Sequence, residues 1–548
     1  MWFLETGSSK KENVFDYEMN TDGLLTYHDA FDNGFDFSVA AGGNLMQRRY
    51  DLLSASVNGL KTPGIYKLAN GASNPHVVTR IRNKAINSLY FMGNFSYKNV
   101  LFMDVTGRND WSSTLPEENR SFFYPSVSAS AIVNEITSLP EEISLLKLRA
   151  SWAQVGNDTE PYKTSQYYDT STFSGSLQLP STLFNQHFKP EISTNYELGF
   201  DYRMYEDRVG LDFTYYYNRT RNQILDAPID PTTGYTRATI NSGTVQNYGF
   251  EVELNAVPVA TRDFTWKSMI TWAKNNNKIL SLAEGSDENQ VIATVGSVVS
   301  LIGTVGGSVT DIWGYKLVRN ENGDVVIGPN GLPEKAAEIE FVGDASPDWK
   351  AGFFNEFTYK GFNFSILLDG QMGGKIYSQS HHKMSEQGKL AHTLNGRLPG
   401  TEFYIPADDP RITDNPKLAQ LGGVYMVAPG VVRNSDGSYS ENTQLVTVEA
   451  YNKEFYRRAN VETNTFDASF LKLREVRIGY ALPKQILGKT PFSALSLALY
   501  GRNLLTFTDY PLYDPEIAAL DGDYMVPGIE NGSIPSTKSY GVNLNISF

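Results

Sequence analysis

A chain of 548 residues is too long for one small soluble core, and its formal charge of −14 would repel nucleic-acid phosphates rather than gather them. There is no cysteine, which excludes disulfide scaffolds, thiolate metal sites and cysteine nucleophiles. The 32 Tyr stand beside 30 Phe and 7 Trp, a balance suited to surfaces where one end of a ring is wet and the other dry.

In chain order, Met1-Trp2-Phe3-Leu4-Glu5 comes first and has no basic stretch, apolar core or cleavage site, so it does not read as a signal peptide. From there the dominant signal is period-two alternation. It predicts strands near 21–31, 35–48, 85–97, 99–108, 121–134, 145–157, 191–205, 208–224, 238–257, 263–279, 347–360, 361–376, 469–483, 492–506 and 537–548. Phe35-Phe37-Val39, Leu89-Phe91-Gly93-Phe95-Tyr97 and Val209-Leu211-Phe213-Tyr215-Tyr217 show the apolar face. At the end, Tyr540, Val542, Leu544, Ile546 and Phe548 alternate with Gly541, Asn543, Asn545 and Ser547. Several of these runs reach ten residues, the length a tilted membrane strand requires.

Connections alternate as well. Long ones cover 49–84, 109–120, 158–190, 225–237, 280–346, 377–468 and 507–536. Short ones are the links 135–144, 258–262 and 484–491 and the tight turns Asp32-Asn33-Gly34, Tyr97-Lys98-Asn99, Tyr205-Glu206-Asp207-Arg208 and Tyr359-Lys360-Gly361-Phe362. At the first turn, Asn-Gly predicts positive φ at both positions. This segregation is the pattern of an all-β antiparallel transmembrane barrel with tight turns on one side and extended outer loops on the other. The uncharged run Val291–Thr310 is long enough for a membrane helix. Its four glycines, six Ser or Thr residues and many valines predict loop or strand instead. A short polar helix is expected near Tyr377 to Leu390.

Several segments resemble the SusC/RagA family of TonB-linked transporters. The most specific is Ser469-Phe470-Leu471-Lys472-Leu473-Arg474-Glu475-Val476-Arg477-Ile478-Gly479-Tyr480 through Lys484, followed by Leu499-Tyr500-Gly501-Arg502-Asn503 and Tyr513-Asp514-Pro515-Glu516. Thr106-Gly107-Arg108-Asn109-Asp110, Phe123-Tyr124-Pro125-Ser126, Trp313-Gly314-Tyr315-Lys316 and Pro347-Asp348-Trp349-Lys350 add to it. The resemblance implies an outer-membrane barrel of 22 strands, a SusD-like surface lipoprotein as partner, a glycan or peptide substrate, no cofactor, and action by the TonB complex through a plug region. It also implies that Phe548 is the terminal aromatic offered to the barrel-assembly machinery. Counted back from Phe548, the fifteen strands would be the last fifteen of 22. Residues 1–548 then read as the carboxy-terminal portion of the barrel, with the plug absent and 1–20 the tail of an outer loop. An open sheet would leave unpaired backbone groups in hydrocarbon at several kcal/mol each, so the remaining strands are expected elsewhere in a longer protein.

No catalytic arrangement emerges, and no residue is expected to act on a bond. His381-His382 with His392 could bind a transition metal, but the spacing matches no ligand pattern and reads better as a solvated loop. Asn320-Glu321-Asn322-Gly323-Asp324 and Asp521-Gly522-Asp523 lack the spaced ligands and closing Glu of a calcium loop. Asp408-Asp409 is a carboxylate pair without a pocket. Trp111, Trp313, Phe403 and Tyr404 are loop aromatics that could stack on sugars, and none stands out. Two other classes fit less well: a self-contained passive porin, and a soluble secreted β-rich glycan-binding protein or hydrolase.

Overall fold

The computed structural model describes residues 7–171, 173, 175–283, 289–296, 298–421, 423–488, 490–521 and 524–548. One sheet holds fifteen strands in chain order, each hydrogen-bonded to its neighbours in sequence. They are β1 (Ser8–Ala30), β2 (Phe35–Asn58), β3 (His76–Tyr97), β4 (Leu101–Ser112), β5 (Ser121–Ile132), β6 (Ile143–Asn157), β7 (Glu191–Met204) and β8 (Val209–Arg221). The series continues with β9 (Thr244–Ala260), β10 (Phe264–Ser281), β11 (Trp349–Tyr359), β12 (Phe362–Met372), β13 (Phe470–Ala481), β14 (Ala494–Phe507) and β15 (Ser539–Ser547). Every strand expected from alternation is present. The chain divides into two compact units, one of residues 1–138, 147–198 and 217–244, the other of the remainder.

In the first unit the strands outrun expectation: β2 continues to Asn58 and β3 begins at His76, inside the expected 49–84 connection. Residues 8–20 are strand, where a loop tail was expected, and β1 pairs with β2 without interruption from Ser8↔Asn58 to Ala30↔Asp36. The alternation in residues 8–20 is short: Phe15, Tyr17 and Met19 share a face opposite Asp16 and Glu18, while Lys10, Lys11 and Glu12 before them put charge on both faces. A cross-strand ion pair adds to the ladder, with Arg48 Nη2 2.9 Å from Asp16 Oδ2. The turn that follows also differs from expectation. Gly34 alone has positive φ (83°), and the Asn33 side chain accepts a hydrogen bond from Phe35 N at 3.0 Å. Both turn residues are left-handed at Lys98-Asn99 and at Lys360-Gly361, the geometry that matches strand twist. Glycines thin the sheet where rings cross it: Gly42 lies opposite Tyr90, whose ring covers the glycine so closely that a Cβ there would sit 2.8 Å from it.

In the second unit the registers run antiparallel from β10 to β15. Large apolar side chains on one face stay exposed, among them Leu499, Val542 and Leu544, with Leu499 58% exposed. The other face is polar. The long connections of this unit do not stay open. The Val291–Thr310 run forms the hairpin Asn289–Val295/Val299–Thr304, as its composition implied, and the expected helix appears as α1 (Gln379–Glu386). Val299, Leu301 and Ile312 from the connection after β10 pack with Tyr377 and Val461 from the one after β12 and with Val526 and Ile529 from the one after β14. Three loops distant in sequence therefore share one buried core. Ser378 caps α1 by accepting from His381 N at 3.0 Å. The buried Glu530 carboxylate accepts from Ser378 Oγ (2.7 Å), Ser380 N (3.0 Å) and Ser380 Oγ (2.8 Å), which ties the last long loop to the start of this helix.

Candidate functional site: the polar wall and the loops tied to it

The polar face of the second unit carries a cleft of about 450 Å³ lined by Asp212, Glu251, Glu253, Thr271, Lys350 and Asp369. Pairing places Thr271, Gly352 and Asp369 in one row across β10, β11 and β12, and Lys472 of β13 continues it. Strand β13 then breaks register with both neighbours. Leu473 pairs with Leu368 and Leu505, Glu475 with Leu367 and Arg502, and Arg474 is skipped in both registers. Against β12 this is a β-bulge, one extra residue on β13 that re-aims a side chain; against β14 the irregularity is shared, since Asn503 and Leu504 are skipped there. The bulge lets Lys472, Arg474 and Glu475 all serve the polar face and resets the alternation, so that Val476 and Ile478 take the apolar side.

The cations so presented meet the last long loop. Lys472, 1% exposed, donates to Asp514 Oδ1 at 2.6 Å and also pairs with Glu516. Arg474 donates to Asp369 Oδ2 at 2.7 Å and to Glu516 Oε1 at 2.6 Å. The Phe470 ring lies 4.6 Å from the Lys472 ammonium. Asp514 is buried, and burial alone would raise its pKa. The Lys472 ammonium outweighs that and holds the carboxyl below its ordinary range. Two segments that carried the family resemblance, 469–484 and 513–516, thus touch through four charges.

The histidines are not a solvated loop. His381 and His382 are buried. The His381 ring stacks on His392 (5.1 Å between centroids) and meets Phe466 edge-on, and its Nδ1 lies 2.9 Å from Asn464 Oδ1. Burial pushes His381 down to about 4 and lowers His382 and His392 as well, so all three are neutral packing groups near neutrality. No group of three or more His, Cys, Asp or Glu able to hold a metal occurs among the described residues. Asn320 and Asp324 close an internal turn, with Asn320 Oδ1 accepting from Asn322 N and Asp324 N. Gly522 and Asp523 lie outside the described residues. Asp409 is held down to about 2 by its hydrogen bonds from Arg411 and is committed to that pair rather than to Asp408.

Among the aromatics, Trp313 packs against Phe341 and Phe403 against the buried Ile327–Met426 cluster, whereas Trp111 lies within β4 rather than in a loop and is partly exposed. Phe548 is 86% exposed and meets Phe492 edge-on at 5.4 Å. Sequence reading missed the Lys472–Arg474 centre as chemistry. Its signal was available: apolar residues fall on odd numbers at Leu471 and Leu473 and on even numbers from Val476 onward.

Long strands with one greasy and one polar face, joined by large folded loops, define an outer-membrane β-barrel receptor. The chain belongs to the TonB dependent receptor-like, beta-barrel family, whose model matches residues 5–504. It is similar to TonB-dependent receptor P3 of Formosa agariphila (24% identical over 98% of this chain and 53% of the relative) and to TonB-dependent receptor P26 of that organism (25%, 100% and 55%). TonB-dependent receptor SusC of Bacteroides thetaiotaomicron is 26% identical over 52% of this chain and 31% of its own length. In fold the chain resembles the RagAB peptide transporter, with a TM-score of 0.76 and 18% identity over 99% of this chain and 56% of that one. The chain spans about half the length of the Formosa relatives it matches. The family resemblance read from the sequence, the barrel fold and the outer-membrane location are thereby established, and the relatives are receptors and transporters rather than enzymes.

Proposed function

We propose that residues 1–548 form wall and outer loops of an importer that carries oligomeric nutrients, glycans or peptides, across the outer membrane. In this reading a SusD-like surface lipoprotein covers the loops. The TonB complex drives opening through a plug region, and Phe548 serves barrel assembly. The observation that carries it is the junction at β13, where a bulge and four charges fasten the last long loop to the polar wall while three long loops share one core. Such loops are a folded platform above a polar passage, which suits capture of an oligomer better than free diffusion through an open pore. Peptide cargo draws support from the RagAB peptide transporter. The exposed apolar stripe of Leu499, Val542 and Leu544 weighs against a soluble glycan-binding protein or hydrolase.

The test is a gene deletion assayed for growth on single glycans and single peptide pools, with affinity-tagged protein probed for a co-purifying surface lipoprotein. Loss of growth on one oligomer class but not on its monomer, together with lipoprotein capture, is the expected result. Unimpaired growth on every oligomer and no lipoprotein would defeat the proposal.

A further inference from the structure

The apolar face is not evenly filled. One row across it reads Trp272, Ala351, Gly370, Leu471 and Phe507, so two small residues sit side by side between large ones. The result is a groove of about 620 Å³ walled by Trp349, Phe353, Leu368, Met372, Leu471 and Phe507. It lies at the ends of β11, β12, β13 and β14 that lead into the long connections, which is the outer end of the strands. Glycine is not demanded there by crowding or backbone. A Cβ on Gly370 would meet nothing closer than 3.5 Å, and its φ is not in the left-handed region. Gly42 and Gly541 are different: rings of Tyr90 and Tyr500 occupy their Cβ space. At Gly370 the space is left open.

We propose that this groove holds an acyl chain of an outer-leaflet lipid. The inference rests on the outer-membrane placement of the sheet, because the groove is continuous with the exposed apolar face that borders hydrocarbon: Phe353, Leu471, Phe507 and Met372 are all exposed. Something apolar must fill it there. Transfer of a chain from bulk lipid gains little from the hydrophobic effect, since lipid tails are as apolar as leucine. What the groove adds is shape, because a void forfeits the dispersion contacts of its lining, whereas a chain lying over Ala351 and Gly370 recovers them along its length. The rim beside it is polar, with Ser469, Thr508 and Asp509, and marks the depth at which the chain must give way to a headgroup.

The experiment uses the receptor purified from outer membranes and delipidated stepwise in detergent, with the retained acyl chains counted by native mass spectrometry. Retention of outer-leaflet lipid is expected, along with a drop of at least about fivefold, roughly 1 kcal/mol, in Gly370→Leu and separately in Ala351→Leu. Leu544→Ala, elsewhere on the same face, should retain lipid as the parent does. Native folding of each variant is checked by heat-modifiable electrophoretic mobility, and two independent fillings guard against one misfolded protein. Equal retention in the filled variants, or no bound lipid in the parent, would overturn the proposal without touching the import reading. Chains recovered still attached to a polypeptide would overturn it in favour of a lipoprotein's anchor.

Discussion

The fifteen-strand sheet and the three folded loops of the second unit are stabilised in opposite ways. Along β14 and β15 the apolar residues Leu499, Val542 and Leu544 remain exposed, and order comes from the backbone ladder that pairs Ala494 with Ser547 through Arg502 with Ser539. In the loops the backbone ladders are short, and order comes from side chains such as Ile312, Val461 and Ile529, each fully buried. The wall can leave its greasy side open because hydrocarbon supplies the missing contacts. The loops stand in water and must supply their own. The difference teaches that one chain can carry two kinds of stability, separable by mutation.

The largest effect should come where the two meet. Lys472→Met removes the cation between Asp514 and Glu516 and leaves the buried Asp514 carboxylate without its partner. Breaking a buried pair in this way costs roughly 3–5 kcal/mol. Limited proteolysis should then cut the 507–536 loop rapidly while the sheet keeps its heat-modifiable mobility; a protease pattern like the parent's would mean the junction carries no load. Ile312→Ala should cost about 2–5 kcal/mol by cavity formation and loosen the loops alone, read as faster amide exchange across 289–314 and 524–530. If exchange in β14 and β15 rises equally, the two regions are not separable. Leu499→Arg reverses the pattern: a charge placed against the bilayer midplane costs roughly 2–4 kcal/mol and should lower barrel assembly in membranes, with little change to loop exchange in the molecules that do assemble.

The same contrast decides what could be read from sequence. Strands were legible wherever water lay on one side and hydrocarbon on the other, because that boundary imposes the period of two. Residues 8–20 were not, since Lys10, Lys11 and Glu12 put charge on both faces at the start and the apolar phase of Phe15, Tyr17 and Met19 opposite Asp16 and Glu18 is too short to stand out. The loop core was not legible either. Ile529 and Glu530 sit between Gly528 and Asn531 in a stretch with no periodicity, and their burial depends on partners about 150 residues away at Tyr377, Ser378 and Ser380. The centre at Lys472 lay between these extremes: the phase change after Leu473 was visible, but only pairing with both neighbours shows that it is a bulge. His381 and His382 were misread because a polar loop was assumed to be a wet one.

The smallest effect, and the sharpest on the comparison, is with pH. Burial holds His381 neutral down to about 4 in the folded loops, against an ordinary 6.5, and lowers His382 and His392 too. The unfolded loop therefore takes up protons first as the pH falls. The stability that the histidines contribute is present above about 6.5 and is lost on acidification toward 4, by about 2 kcal/mol for His381 at pH 5. Asp311 acts in the opposite sense. Burial raises its carboxyl from 3.8 to about 6, so the fold favours its neutral form and bears a cost that grows as the pH rises through that range. Acid relieves at Asp311 part of what it costs at the histidines, and the parent loops should soften only modestly between pH 7 and pH 5. Asp311→Asn removes the relief and leaves the histidines unopposed. Amide exchange over 379–394, corrected for its intrinsic pH dependence, should then rise several-fold more on acidification than in the parent, while β14 and β15 stay protected. An acid response in Asp311→Asn no steeper than the parent's would show that these loops do not hold their histidines neutral by burial.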